Sequence, residues 1–394
     1  MDIPSDIWSQ ITATIRRTAE ALDEEFPYVT DTQGKWKCLP ANRYAGWAGE
    51  EWSHGNWFCG FWTGLLWLAF ELSDDVDFRQ EARRWAERMR FRQDDRNSHD
   101  IGFLFIPSFV KGFLLTGESS WQDSALAAAR VLASRFDERS GIVQAWGRLE
   151  DSRARGTSTI DTMMNLPLLW WAAQDTGNAF FSEIASRHAR VSVSVYLRED
   201  GSTYHTARFD PATGALLARG TYQGLSESSC WSRGLAWAIS GFSEAYRHTG
   251  APELLKATEN VSEYYFDHVP DDLVPYWDYQ DPAIPEVPRD SAAAAIAAGG
   301  FLTLAEVHPN SHLRNKYQKR AHRVLTSLLK DYWDHDPGGT YQGILRHACY
   351  SKPHAEGVDA SFIVGDFFLV QNLLRASRET AGAGSPFSWD AAGS

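Results

Sequence analysis

No stretch of the 394-residue chain approaches the ~20 consecutive apolar residues of a membrane span, so no membrane partner is expected. The N-terminus, MDIPSDIWSQ, lacks a basic start followed by an apolar run; no secretory signal is visible, and a cytoplasmic protein is expected. Cysteine is scarce. Cys38, Cys59, Cys230 and Cys349 form no CxxC pair and read as buried thiols, not as a disulfide framework. Positive charge is in deficit, with a net charge of −13, whereas a nucleic-acid binder needs a dense cationic footprint to displace counterions. The one basic cluster, between Glu81 and Gln93, reads as the solvated face of a helix. HExxH, EF-hand, P-loop, GxSxG and strand-linked GxGxxG motifs are missing, and His308 and His312 are separated by a Pro309-Asn310 turn. Neither a metal nor a nucleotide cofactor is implied.

What the chain does have is aromatic mass: 17 Trp, 14 Tyr and 21 Phe. Most of the tryptophans recur at helical spacing and read as packing between helices, the remainder as possible sugar platforms. Apolar residues at three- and four-residue spacing mark twelve segments: 5–23, 57–73, 77–93, 102–117, 119–136, 160–176, 179–196, 231–248, 251–268, 289–307, 310–331 and 358–377. Strand alternation is nearly absent; 201–204 and 215–223 could form small hairpins at most. Links after the even-numbered segments are short, and most of the others are long. That alternation predicts six helical hairpins closed into one ring, an all-α (α/α)6 barrel spanning 1–394 as a single domain, with 379–394 a flexible tail. An open superhelix of helical pairs is the rival, but no fixed repeat period is present.

In such a ring the even-numbered helices are the inner ones, and the unusual residues cluster where they begin. Trp57, His99, Asp100, Asp161, Ser229, Trp231, Arg233, Arg289, Asp290 and Asp359 all fall there. Six helix N-termini facing one cavity favour an anion, although Asp and Ser at such positions can equally be plain N-caps. Asp100 and Asp161 could split their protonation, one held neutral as an acid while the other stays ionised. Arg233 beside Trp231 and Trp237, with Gln223 nearby, suits a sugar carboxylate, the alternative being a structural pair between Arg233 and an acid. Lys352, in the loop before the last inner helix, is a candidate contact for a leaving sugar or its sulfate, or else a solvated loop lysine.

Six segments in order resemble the unsaturated glucuronyl hydrolases, glycoside hydrolase family 88. They are GFWTGLLWLAFELSDD from Gly60, HDIGFLFIPSF from His99, TIDTMMNLPLLWWAA from Thr159, TYQGLSESSCWSRGLAWAISGF from Thr221, VPYWDYQDPAIPEVPRDSAAAAIAAGG from Val274 and GDFFLVQNLLR from Gly365. The resemblance covers about residues 55–376. It implies the same (α/α)6 barrel and removal of a 4,5-unsaturated uronic acid from the non-reducing end of disaccharide-sized products of polysaccharide lyases. Asp161 matches the general acid and base, and Asp100 its partner. His205, Gln223, Trp231, Arg233 and Trp237 match substrate contacts, and Trp57 a stacking tryptophan. Tyr222 stands where many members have His, Leu235 where Gln is usual, and Glu227 with its flanking serines replaces an Asp-rich stretch; these departures bear on substrate preference.

The implied reaction is hydration of a vinyl ether: C4 is protonated, water adds at C5, and the hemiketal opens. The rivals are the related unsaturated rhamnogalacturonyl hydrolases, a conventional glycosidase using the same two aspartates, and a catalytically silent carbohydrate-binding or regulatory protein.

Overall fold

The helices come in two kinds, and their residue patterns dictate where each lies. The outer set is α1 (Ser5–Ala21), α3 (Val76–Met89), α6 (Ser119–Ala133), α8 (Ala179–Tyr196), α10 (Pro252–His268) and α12 (Ser311–Ser327). Each of these buries one stripe; in α3 it is Phe78, Ala82, Trp85, Ala86 and Met89, the spacing of a single helical face. The inner set is α2 (Cys59–Ser73), α4 and α5 (Ile101–Phe105 and Lys111–Thr116), α7 (Pro167–Thr176), α9 (Ser232–Thr249), α11 (Ser291–Val307) and α13 (Ile363–Ala381). Two of them are apolar all round: α2 is buried at every residue from Cys59 to Ala69, and α11 from Ser291 to Leu304. A helix without a polar face must be enclosed by others, and an inner ring does that.

A computed structural model describes residues 1–42, 55–334 and 339–381. In it α2 packs on α4, α4 on α7, α7 on α9, α9 on α11, α11 on α13 and α13 back on α2. The ring is closed, which sets aside the open superhelix. Small residues let it tighten: a Cβ on Gly300 of α11 would come within 2.9 Å of the Ile239 backbone on α9. The short links owe their brevity to paired caps. Asp74, Gly117, Gly177 and Gly250 end inner helices in the left-handed conformation, and Asp75, Asn178 and Asn310 accept amide hydrogen bonds at the start of the next outer helix. At this end Glu71 pairs with Lys111 and Arg378, and Glu306 with Arg247 and Arg375. Cations there offset the negative ends of the inner helices.

Several expectations need correction. The long links carry short strands: β1 (Phe26–Thr30) with β2 (Trp36–Leu39), β3 (Phe136–Asp137) with β4 (Ile142–Val143), β5 (Thr157–Thr159) with β6 (Thr206–Phe209) and β7 (Leu216–Gly220), and β8 (Ala348–Ser351) with β9 (Glu356–Ala360). All pairings are antiparallel. With two to five residues each, they are too short to show alternation. Of the two suggested hairpin segments, 215–223 contains β7, whereas 201–204 contributes only an isolated bridge at Thr203. The last inner helix starts at Ile363, not 358, because 356–360 pairs with β8; Asp359 therefore opens no helix, and it lies in β9 at φ 56° beside His347. The fourth segment is interrupted by a π-turn, Ile106–Val110, containing Pro107, which has no amide hydrogen to give the helix. The sixth opens as a 3-10 turn, Ile160–Met164, ahead of Pro167. Cys38 is only partly buried, unlike the other three thiols. The expected tail from 379 begins as the end of α13; residues 382–394 lie outside the described residues. Among the described residues, no helix is long and apolar enough to cross a membrane.

One close approach ties the ring to what sits at its mouth. A Cβ on Gly60 of α2 would lie 2.1 Å from the Phe103 carbonyl oxygen on α4, directly after Asp100 in the chain. Gly60→Ala is expected to destabilise the protein by about 1–3 kcal/mol, as overpacking does. It should also cut turnover by moving the start of α4. Thermal unfolding with a parallel activity assay checks this; an unchanged melting temperature would contradict the packing.

Candidate active site

Asp100 stands at the position before α4 without a side-chain capping bond, and Asp161 lies in the 3-10 turn that leads into α7, so adjacent inner helices carry the two carboxyl groups to the same end of the barrel. Asp100 is 4% exposed; its Oδ2 accepts a hydrogen bond from the Ser98 hydroxyl at 3.0 Å, and Ser98 Oγ in turn accepts from the Asp100 amide. The Asp161 side chain is 18% exposed, and its Oδ1 is buried without a hydrogen-bond partner. Burial, and next the negative charge of Asp100, push the Asp161 carboxyl up to about 7. Its own amide and the Arg233 guanidinium oppose this with smaller effects. The result is a carboxylic acid that keeps its proton close to neutral pH.

A histidine stands beside each carboxyl group. His205 Nε2 is 3.6 Å from Asp161 Oδ1, and its Nδ1 faces the Thr221 hydroxyl and the amides of Tyr222 and Gln223 at 3.2–3.4 Å. Amides can only donate, so Nδ1 is the acceptor and the imidazole proton sits on Nε2, toward Asp161. His99 Nε2 is 3.4 Å from Asp100 Oδ1, and its Nδ1 is 2.8 Å from Thr162 Oγ1. Burial lowers both histidines to about 3, so both are neutral.

The other expected site residues divide into two groups. Trp231 packs on His205 with ring centroids 4.4 Å apart, and Gln223 donates its side-chain amide to the Tyr350 carbonyl at 2.9 Å. Trp57 and Trp237 flank Phe103, each 5.2 Å from it, and form an aromatic floor; Trp237 is only 1% exposed. Arg233 is not an open clamp. It is 1% exposed, paired with Asp290 at 2.7 Å, and donates to the carbonyls of Cys349 (2.7 Å) and Tyr350. The structural-pair alternative describes its contacts, and Asp290 is also the N-cap of α11. Lys352 pairs with Asp281 at 2.7 Å and lies 4.8 Å over the Trp277 ring. Asp278 fixes the loop after β7 by accepting from the Leu225 amide and the Ser229 hydroxyl.

Thr162 and Arg135 were not singled out from the sequence, and His99 was marked there only by its place at the start of an inner helix. His99 and Thr162, each adjacent to a candidate aspartate, touch each other. Arg135, just past the end of α6, is 1% exposed; it donates to the carbonyls of Gln144, Ala145, Gly147 and Arg96, and its charge interacts with Asp95 and Asp100. Nothing in the pattern of an outer helix marks such a residue.

A closed ring of helical pairs with two neighbouring carboxyl groups at its mouth is an arrangement suited to a barrel-type glycoside hydrolase. The sequence places it more narrowly: residues 24–366 match the model of Glycosyl Hydrolase Family 88, and the chain belongs to that family. It is 34% identical to the unsaturated glucuronyl hydrolase of Bacillus sp. (strain GL1), over 93% of this chain and 94% of that one. It is 36% identical to the unsaturated chondroitin disaccharide hydrolase of Streptococcus pyogenes serotype M1, over 92% and 88% respectively. The crystal structure of the Bacillus enzyme superposes with a TM-score of 0.87 at 33% identity, covering 94% of this chain and 97% of that one.

The raised Asp161 fixes a pH dependence. The folded carboxyl holds its proton up to about pH 7, while the unfolded one ionises near 3.8, so the stability it contributes is lost as pH rises between those values. Asp161→Asn should therefore gain stability relative to the parent across that window, by up to about 1.4 kcal/mol per pH unit, and level off above it. Urea unfolding of both proteins at acidic and alkaline pH checks this; a stability difference independent of pH would contradict it.

Proposed function

We propose that this protein removes a 4,5-unsaturated uronic acid from the non-reducing end of lyase-generated oligosaccharides, acting on disaccharide-sized substrates. The observation that carries the reading is the Asp161 carboxyl, which retains its proton near neutrality beside the charge of Asp100. A vinyl ether conjugated to a carboxylate needs a proton delivered to carbon, which requires an acid still protonated at working pH. In the proposed reaction Asp161 gives its proton to C4, and positive charge develops at C5 and the ring oxygen. Water adds to C5 while the Asp161 carboxylate takes the water's proton, restoring the acid. The resulting hemiketal opens: the added oxygen becomes the C5 ketone, the former ring oxygen stays on C1, and loss of the linked sugar leaves the aldehyde. Net consumption is one water.

Burial and the charge of Asp100 keep the proton on Asp161, His205 turns its Nε2–H toward Asp161 Oδ1, and the floor of Trp57, Phe103 and Trp237 excludes water from beneath the sugar. Trp231 offers an apolar surface, and Gln223 and Arg233 hold the loop carrying Tyr350, with the Arg233 charge favouring a uronate in the mouth. The sugar linked to the uronate is read as a glycosaminoglycan residue. The S. pyogenes relative is named for chondroitin disaccharides, and a Streptococcus agalactiae unsaturated glucuronyl hydrolase, 26% identical with a TM-score of 0.77 and coverage of 95% and 91%, has been solved with dGlcA-GalNAc6S. Lys352 is assigned to the leaving sugar or its sulfate, an exchange that would have to loosen its pairing with Asp281.

Turnover of unsaturated chondroitin disaccharide, followed by loss of enoate absorbance, tests the activity, and its absence across a panel of unsaturated disaccharides would reject it. Asp161→Asn should lose about 10²–10⁴ in kcat, the usual share of general acid–base catalysis. In H₂¹⁸O and D₂O, early time points should show ¹⁸O in the C5 ketone and deuterium at C4. Label at C1 with C4 unlabelled would indicate a conventional glycosidase. Lys352→Ala should lower the ratio of sulfated to unsulfated turnover; an unchanged ratio returns Lys352 to a loop lysine.

A further inference from the structure

Each carboxyl group has a chain neighbour that touches the other's neighbour. His99 precedes Asp100, Thr162 follows Asp161, and His99 Nδ1 lies 2.8 Å from Thr162 Oγ1. Both side chains are fully buried, so the contact is made away from water and is not exchanged with it. We propose that this contact is a positioning device for the reaction: the Thr162 hydroxyl donates to His99 Nδ1, fixes the imidazole proton on Nε2, and so aims a neutral N–H at the Asp100 carboxylate.

The geometry and the inventory of donors support it. His99 Nε2 lies 3.4 Å from Asp100 Oδ1, longer than a formed hydrogen bond, and makes no hydrogen bond to any other group. With the opposite tautomer Nδ1–H would donate to Thr162 Oγ1, and a lone pair on Nε2 would face the carboxylate, which repels it. Burial keeps the ring uncharged, so His99 supports the Asp100 charge without cancelling it. That distinction matters here. A protonated histidine beside Asp100 would screen the charge that keeps Asp161 protonated, whereas a neutral donor stabilises Asp100 and leaves its field intact. The other charged or titratable groups about the pair are Arg135 from the end of α6, Asp95, His188 of α8, Asp161, His205 and Arg233 of α9. The brace also spans α4 and the turn leading into α7, so it sets the spacing of the two carboxyl groups as well as the proton on the ring.

The inference rests on the proposed acid role of Asp161, and its test separates the two. Thr162→Val keeps the side-chain shape and removes the hydroxyl. Losing the N–H donor, Asp100 should take up a proton at higher pH than in the parent. The acid limb of the kcat/KM profile should then move up, with kcat reduced mainly on that limb and KM for unsaturated chondroitin disaccharide nearly unchanged. Thr162→Ser should restore the parent profile, and in an Asp100→Asn background Thr162→Val should leave the profile's shape unaltered. A Thr162→Val profile that superimposes on the parent, or a loss equal at every pH that serine does not rescue, would overturn the brace. Nitrogen-15 NMR of ring-labelled histidine gives a readout independent of substrate and of the variant's folding. The parent protein should show His99 as the Nε2–H tautomer, and an Nδ1–H tautomer would refute the proposal even if the enzyme proves active. Conversely, an Nε2–H tautomer in a protein without turnover would sink the functional reading and leave the brace standing.

Discussion

Everything at the mouth of this barrel depends on one unfavourable arrangement: a mostly buried carboxyl group next to another carboxylate. Water is largely excluded, so the two cannot both ionise cheaply, and the proton stays on the less supported one. Each has a neutral histidine and the field of a buried arginine beside it, but Asp100 also accepts the Ser98 hydroxyl, whereas Asp161 Oδ1 has no hydrogen-bond partner. The asymmetry of support assigns the roles. It also costs stability above the pH at which Asp161 would ionise, a cost the rest of the barrel must carry.

The barrel carries it through closure and through the direction of its helices. All long links lie at the end where the inner helices begin, so the residues that open those helices converge, and their exposed amides favour negative charge in that region. Arg233, Asp290 and the strand β8 carbonyls lock three of the converging segments together, while Glu71, Glu306 and their cations balance the opposite ends. The polar apparatus is thus divided. One part binds segments to each other, and a smaller part faces the reacting groups. Arg233 belongs to the first part by its contacts, and its charge acts on Asp161 against the effect of burial.

Much of this was legible in the sequence. The twelve rods, their alternation of short and long links and the two aspartates follow from helical periodicity and from six ordered motifs, because inner helices that are apolar all round leave an unmistakable pattern. The strand pairs in the links were not legible: β8 and β9 are four and five residues long, and the latter was absorbed into the start of the last helix, which carried Asp359 to the wrong place. The sequence leaves Arg233 open between a clamp and a structural pair, because an arginine among tryptophans looks the same whether it faces a ligand or an aspartate 57 residues away. Arg135 was invisible for a different reason. Its role arises from where an outer helix happens to end, and periodicity says nothing about that.

The central claim is that Asp161 holds its proton near neutrality because it is buried, and because it is buried beside the charge of Asp100. The most direct measurement is the protonation of Asp161 itself, by difference infrared spectroscopy of the parent against Asp161→Asn across pH. The account predicts a carboxylic-acid band that is lost with a midpoint near 7 and whose midpoint falls when Asp100 is replaced by Asn. A midpoint in the ordinary carboxylate range, or one indifferent to Asp100→Asn, would contradict it.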